Sequence, residues 1–165
     1  MAVKTKTREY LGDILLDTKA HISDPSYAPD CWCAGSVENM LPGIYHCYAT
    51  VSDEGDWGDR CAQIEVVHES CKNPTYPIQL DLDIGVDAGL CGIYDYDYFL
   101  KFQENWLERC RGIACKTDDP LAKLFDKKAI VSSSGFGDGG YIANAETNDN
   151  GQTVAVMVEF IGEDD

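Results

Sequence analysis

The clearest structural signal in the chain is the stretch Pro77–Asp87, which reads PIQLDLDIGVD. Its apolar side chains stand at every second position from Ile78 to Val86, and the alternate positions include the carboxylates Asp81, Asp83 and Asp87. Because successive side chains of a strand point to opposite faces, this alternation predicts a half-buried β-strand. The apolar face is expected to meet the core, and the carboxylates are expected to face solvent.

Further strands are predicted on both sides of this stretch by runs rich in Val, Ile and Tyr. A turn is indicated by the NDNG sequence at residues 148–151, because Asn-Gly suits the positive φ angles of a hairpin. The segments on either side of that turn, Tyr141–Glu146 and Thr153–Ile161, are therefore expected to pair. The predicted strands are Gly12–Ile22, Ile44–Val51, Ala62–His68 and Val154–Ile161, the last of them apolar on both faces and expected inside a sheet.

One main helix is predicted by apolar residues that recur every four positions. Asp97 is expected to cap its start and Gly112 its end, and a second, short helix is expected to begin at Asp119-Pro120. The fold class is then α+β and β-rich, a mostly antiparallel sheet with one main helix packed on it. The buried stripe of that helix consists of Tyr98, Phe102, Trp106 and Cys110, with Phe99 and Leu107 beside it.

The size and charge of the chain limit its partners. Its 165 residues fit a single domain, residues 1–165, with flexible tails at about 1–8 and 162–165. The net charge of −16 comes from 29 acidic and 13 basic side chains, so nucleic acid and anionic membranes would be repelled. No apolar run reaches the roughly 18 residues of a membrane span, and no secretion signal is visible. A cytoplasmic location is expected.

The cysteines are expected to be reduced and mostly buried, since a cytoplasmic chain rarely keeps disulfides and a free Cys behaves as a small hydrophobe. An alternative is a zinc site that combines Cys31 and Cys33 with His21, His46 or Cys47. No second ligand pair follows at zinc-finger spacing. The eight cysteines are Cys31, Cys33, Cys47, Cys61, Cys71, Cys91, Cys110 and Cys115.

Two loops are candidate binding sites. Residues 131–141 read VSSSGFGDGGY, in which glycines free backbone N–H groups to hold an anion and serines add hydroxyls. Residues 52–60 read SDEGDWGDR, an acidic loop that presents an aromatic ring. The alternatives are a tight glycine-filled connection and a solvated hairpin loop. The predicted ligand-binding residues are Ser132, Ser133, Ser134, Gly135, Gly137, Asp138 and Trp57.

A metal site is a further hypothesis, because carboxylates flank the glycine-rich bend that follows the first stretch. Several oxygen ligands suit a hard divalent cation, although the spacing matches no EF-hand loop. The alternative is that these side chains bond N–H groups of local turns. The candidate ligands are Asp81, Asp83, Asp87 and Asp95.

A resemblance adds context. The VDAG sequence at 86–89, the SSGFGDGG run and Asn150-Gly151 before a Val-rich strand resemble a widespread family of uncharacterised bacterial and phage proteins. The resemblance covers roughly the second half of the chain. It implies a stand-alone cytoplasmic domain of the kind that a phage makes inside its host, and it brings no catalytic residue.

The leading functional hypothesis is a non-enzymatic binding protein, without a cofactor, that captures a small anionic ligand or a host protein. One alternative is a metal-dependent hydrolase, in which the aspartates named above or Asp138 would hold Mg²⁺ or Ca²⁺. Another is an acidic decoy of a nucleic-acid-binding protein. Carboxylates that converge in a cleft would favour the hydrolase, and a broad acidic surface would favour the decoy. A pocket lined by backbone N–H groups and aromatic rings would favour the binding protein.

Overall fold

The computed structural model describes residues 5–111, 113 and 121–162. The predicted cap Gly112, the predicted second helix at Asp119-Pro120 and Cys115 lie outside these residues. Two short helices are present, α1 (Tyr96–Phe102) and α2 (Trp106–Cys110). The strands in chain order are β1 (Lys6–Leu16), β2 (Ala20–Ser23), β3 (Gly35–Val37), β4 (Gly43–Asp53), β5 (Asp59–His68), β6 (Ile78–Gln79), β7 (Ile84–Val86), β8 (Leu90–Asp95), β9 (Ala122–Phe125), β10 (Ala129–Ser133), β11 (Gly139–Thr147) and β12 (Thr153–Glu159).

The strands divide between two sheets. The larger sheet has the order β1-β4-β5-β12-β11-β6, and β7 also pairs with β11. The smaller sheet has the order β3-β2-β8-β10-β9. Every strand pair in both sheets is antiparallel. The β-rich, mostly antiparallel architecture is therefore confirmed, although the strands form two sheets where the sequence suggested one.

The two sheets bury a shared apolar core. The larger sheet contributes Ile14, Tyr45 and Val66 to it, and the smaller sheet contributes Ile22 and Ile93. Face-to-face packing of this kind lets alternate side chains of each strand leave water. The connection from β10 in one sheet to β11 in the other carries the glycine-rich loop, which is how that loop reaches an end of the sandwich.

The helical segment covers the outer face of the smaller sheet. Phe99 stacks on Tyr94 with ring centroids 5.0 Å apart, and Trp106 meets Tyr94 and Phe125 edge-on at 5.3 Å and 5.2 Å. Because this sheet is covered on both faces, every residue of β2, β8 and β10 is buried. We call the set Tyr94, Tyr98, Phe99, Trp106 and Phe125 the buried aromatic cluster.

The predicted helix is confirmed in part. Tyr98, Trp106 and Cys110 are buried and Phe102 is half-buried, but a 3-10 turn at Gln103–Asn105 separates α1 from α2. The predicted cap Asp97 is wrong: Asp95 caps the helix by accepting a hydrogen bond from the Tyr98 N–H at 3.4 Å. The backbone is still extended at Asp95, so the helix begins at Tyr96, before Asp97 can act as a cap.

The stretch Pro77–Asp87 forms two short strands, β6 and β7, and not the one strand predicted. Leu80 and Leu82 pack against the core as the alternation requires, but Ile78 is 41% exposed. The two strands pair with different parts of β11, and the Leu80 N–H donates to the Ala143 carbonyl at 2.9 Å between them. The alternation thus predicted correctly that Leu80 and Leu82 face the core, but it did not predict the break between β6 and β7.

Two other strand predictions differ in extent. The predicted strand Gly12–Ile22 includes parts of β1 and β2, which belong to different sheets. The N-terminal tail predicted at about residues 1–8 is too long, because β1 begins at Lys6 and pairs with β4 from that residue. The hairpin of β11 and β12 is confirmed, with Gly151 at a φ of 77° in its turn.

Within the described residues, helices are too short or too polar to cross a membrane.

Candidate functional site

The glycine-rich loop does not present its serines to solvent. Ser132 and Ser133 end β10, the strand between β8 and β9, and both are buried together with Ser134. The Ser134 hydroxyl donates to the Gly137 carbonyl at 2.9 Å, and its N–H donates to the Gly89 carbonyl at 3.1 Å. The Ser133 N–H donates to the Leu121 carbonyl at 2.9 Å. Ser133 and Ser134 thus bond inside the fold and Ser132 is buried with them, so none of the three serines faces solvent. The sheet continues further than the sequence indicated.

The loop turns outward directly after the serines. Gly135 is buried with a φ of 59°, and a Cβ there would lie 2.9 Å from the Ile161 side chain. The Tyr141 hydroxyl donates to the Gly137 carbonyl at 2.6 Å and so closes the loop from the β11 side. Only glycine fits this turn without strain, and the result is that Phe136 points to solvent, 52% exposed. Asp138 is exposed beside it.

The acidic loop meets the glycine-rich loop. Trp57 ends a 3-10 turn between β4 and β5, is 68% exposed, and has its ring centroid 6.5 Å from that of Phe136, edge to face. The Arg60 guanidinium lies 5.3 Å from the centre of the Phe136 ring, and its Nε–H donates to the Trp57 carbonyl at 2.8 Å. We call Trp57, Arg60 and Phe136 the aromatic patch. It unites the two loops that the sequence had nominated separately.

Carboxylates occupy the same two loops. Asp53 and Asp56 precede Trp57 in sequence, Asp138 follows Phe136, and all three are exposed. The Asp53 carboxylate accepts a hydrogen bond from the Gly55 N–H at 2.9 Å, which helps to shape the turn that carries Trp57. The aromatic patch is therefore bordered by acidic side chains.

An apolar groove lies at the start of β11. Its volume is about 240 Å³, and its walls include Trp32, Cys33, Ile84, Tyr141 and Ile142. Trp32 is 83% exposed at its rim. We call it the Trp32 groove. Tyr141 also closes the glycine-rich loop, and Gly140 and Tyr141 of that loop both line the groove.

The predicted metal ligands do not converge. Asp81, Asp83 and Asp87 are exposed, whereas Asp95 is buried, caps α1 and accepts a hydrogen bond from the Asp17 N–H at 2.9 Å. Nor do residues 5–111, 113 and 121–162 contain three or more His, Cys, Asp or Glu side chains grouped to hold a metal ion. The buried carboxylate that shapes the glycine-rich bend is Asp24, which was not predicted and accepts from the Asp87 and Ala88 N–H groups at 2.7 Å each.

The cysteine prediction is confirmed as far as burial goes. Seven cysteines are described, all as free thiols; Cys31 and Cys71 are half-buried and the rest are buried. Burial raises the pKa of Cys61 and of Cys110 to about 12, as expected for inert core thiols. The residues of the hypothesised zinc site do not come together. The His21 ring stacks on the Phe99 ring, with centroids 4.8 Å apart, and Cys47 lies in the core between the two sheets.

Sequence reasoning missed a polar pocket on the outer face of the larger sheet. Arg8, His46, Tyr48 and Lys72 line this cavity of about 230 Å³. The Arg8 guanidinium lies 3.5 Å from the centre of the Tyr48 ring and donates to the carboxylate of Glu65, which is 3% exposed, at 2.7 Å. Arg8, His46, Tyr48 and Glu65 stand on β1, β4 and β5, whereas Lys72 follows the end of β5. Only the strand register, which pairs Tyr10 with Tyr48 and Tyr48 with Glu65, brings them together.

Titratable groups in and beside this pocket have shifted pKa values. The neighbouring His46 ring, 2.7 Å away, lowers the pKa of Asp13, and the Tyr10 hydroxyl also donates to that carboxylate. Burial and the nearby Glu146 carboxylate raise the pKa of the Cys71 thiol. A raised pKa disfavours the thiolate, so the pocket does not activate Cys71 as a nucleophile.

Comparisons of the chain with protein-family models, with curated proteins and with solved structures gave no match. The geometry of its own loops and pockets is therefore the basis for a functional assignment.

Proposed function

We propose that this chain is a non-enzymatic binding protein that captures another protein through the aromatic patch. The observation that supports this is the contact between Trp57 and Phe136, two large rings from loops far apart in sequence that remain 68% and 52% exposed. A fold that buries Trp106 completely leaves these rings at the surface. Clustered exposed apolar surface of this kind commonly marks an interaction site.

The patch also has the composition of an interface centre. Trp and Arg are enriched among the residues that dominate binding energy, and aromatic residues are enriched in interfaces generally. Its backbone is held before binding: Arg60 is bonded to the Trp57 carbonyl, and Tyr141 fixes the loop that carries Phe136. Groups that are already ordered lose less entropy when they bind, so the patch is suited to contact a partner.

The charge of the chain indicates the chemistry of that partner. A net charge of −16, with Asp53, Asp56 and Asp138 next to the rings, favours a surface on which Lys or Arg residues border an apolar pocket. We propose a basic protein of the bacterial cell as the partner, which would be the host if the resemblance to phage proteins holds. Protein and partner would then meet in the cytoplasm.

The dispersed aspartates support binding over metal-dependent hydrolysis, and the aromatic patch supports it over a decoy that acts through charge alone. The experiment is affinity capture from bacterial lysate with the wild-type chain and with the double variant Trp57→Ala/Phe136→Ala. Leu15 and Ile44 form a matched control, since they are an exposed cross-strand pair on β1 and β4. Leu15→Ala/Ile44→Ala removes exposed apolar surface elsewhere.

We expect a specific partner to be retained by the wild type and the control and lost by the patch variant. Its affinity, measured with the purified partner, should fall by at least about thirtyfold, which corresponds to a hot-spot loss of about 2 kcal/mol. Retention that is equal in all three proteins and disappears only with added salt would point to the charge-based decoy. That result would refute the proposal that the aromatic patch binds the partner.

A second candidate function is the binding of a small anion in the polar pocket. The observation that favours it is that Arg8, His46 and Lys72 line one cavity of an otherwise acidic protein. The guanidinium has five N–H donors, of which Nε–H and one on Nη2 bond Glu65, so others can face a ligand. Inorganic phosphate and acetate, titrated by NMR, should shift residues 69–74, and Lys72→Ala should weaken the effect. If neither phosphate nor acetate shifts the NMR signals of these residues, the polar pocket does not bind these anions.

A further inference from the structure

We propose that Cys31 and Cys33 form a redox-active dithiol that a small disulfide, such as glutathione disulfide, converts reversibly to an intramolecular disulfide. The two Sγ atoms lie 3.4 Å apart across a turn at the surface. This site is separate from the aromatic patch and does not depend on the proposed function.

The turn holds the two thiols close together before any reaction. The Ala34 N–H donates to the Cys31 carbonyl at 3.2 Å, and the Gly85 N–H donates to the Cys33 carbonyl at 2.8 Å, which ties the turn to β7. A disulfide bond is about 2.05 Å long, so the sulfur atoms need to approach by roughly 1.4 Å. A side-chain rotation supplies a movement of that size without unfolding the turn.

The other described thiols are much less suited to this chemistry. Cys47, Cys61, Cys91 and Cys110 are buried in apolar clusters, so an oxidant in solution cannot reach them. Cys71 is half-buried, but its sulfur lies 3.8 Å from the Glu146 carboxylate, which opposes formation of the thiolate. Among the described cysteines, only Cys31 combines partial exposure with a neighbouring thiol.

The geometry also assigns the order of events. Burial and the adjacent Cys31 raise the pKa of Cys33, so the more exposed Cys31 is the attacking thiol and Cys33 the resolving one. The Cys31 thiolate attacks one sulfur of glutathione disulfide, forming a mixed disulfide and releasing one glutathione thiolate, which takes up a proton. Cys33 then loses its proton to solvent and attacks the Cys31 sulfur, releasing the second glutathione.

In sum, two protein thiols are oxidised and one external disulfide is reduced to two thiols, with two electrons transferred. Excess glutathione reverses the reaction. Cys33 also forms part of the wall of the Trp32 groove, so the redox pair lies beside that groove.

The test is to equilibrate the purified, reduced full chain with defined ratios of glutathione disulfide to glutathione and to map the products by mass spectrometry. We expect the wild type to lose two hydrogen atoms in a peptide that contains Cys31 and Cys33. Cys33→Ser should instead accumulate one glutathione on Cys31, and Cys31→Ser should form neither product. Cys71→Ser is the matched control and should behave as the wild type.

A second measurement requires no variant. Thiol labelling of the native wild-type protein should modify Cys31 faster than any buried cysteine, and prior oxidation should protect both Cys31 and Cys33. An unmodified wild-type chain at every glutathione ratio, equal adducts in all variants, or a disulfide that joins another cysteine pair would overturn the proposal.

Discussion

Two groups of aromatic side chains in this protein have similar chemistry and opposite environments. Trp106 and Phe99 are fully buried between the helical segment and the smaller sheet, whereas Trp57 and Phe136 meet at the surface with most of their area exposed. The difference follows from the local sequence. Aromatic residues spaced four apart form the buried face of a helix, while single aromatic residues in acidic or glycine-rich turns cannot reach the core. Aromatic content alone therefore does not distinguish core from binding surface.

The largest effect is expected in the buried aromatic cluster. Trp106→Ala removes a side chain with no exposed area that contacts Tyr94, Tyr98 and Phe125, so it should lower the free energy of unfolding by about 3–5 kcal/mol. Chemical denaturation followed by circular dichroism measures this. A loss below about 1 kcal/mol would mean that the cluster is not a packed core, and the contrast with Trp57 would disappear.

A smaller effect is expected from acid, also in the buried region. Burial lowers the pKa of His21 to about 4, whereas an unfolded chain would titrate near its usual 6.5. The unfolded state thus binds a proton first, and stability should fall as the pH drops from about 6.5 towards 4. The loss attributable to His21 at pH 5 should reach about 2 kcal/mol at most.

The control for the acid effect is His21→Phe, which keeps a ring against Phe99 but cannot bind a proton. Denaturation curves at pH 7 and pH 5 should show a smaller acid-induced loss for this variant than for the wild type. The same pH dependence in both proteins would show that other groups cause the loss.

The next prediction distinguishes the structural role of the buried base of the glycine-rich loop from the binding role of its exposed surface. Ser134→Ala removes a buried hydroxyl that donates to the Gly137 carbonyl, so unfolding should become easier by about 1 kcal/mol. Partner affinity should not change, because the hydroxyl does not reach the surface. Reduced affinity at unchanged stability would instead restore the serine-based site expected from the sequence.

The sequence was informative wherever the determining contacts are local. The spacing of Tyr98, Trp106 and Cys110 identified the buried side of the helical segment, although not its division into α1 and α2. Asn150-Gly151 identified the hairpin turn. The break in Pro77–Asp87 was not visible, because it depends on how two parts of that stretch pair with β11.

The sequence predicted only part of the candidate site, again because some of its contacts are not local. Both loops could be nominated from their composition, yet their contact through Trp57 and Phe136 follows from the order of strands in the sandwich. Ser132, Ser133 and Ser134 look like polar loop residues in the sequence. Ser132 and Ser133 are buried because β10 lies between β8 and β9, and Ser134 is buried where it bonds to Gly89 and Gly137. No local sequence pattern predicts these contacts.

The most direct measurement compares stability and binding in the Trp57→Ala/Phe136→Ala variant. Exposed side chains contribute little to folding, so its free energy of unfolding should change by no more than about 1 kcal/mol, while its affinity for the captured partner should fall at least about thirtyfold. The Leu15→Ala/Ile44→Ala control should change neither quantity appreciably. A large loss of stability with unchanged affinity would contradict the central claim, because it would place Trp57 and Phe136 in the structural core and leave the aromatic patch without a binding role.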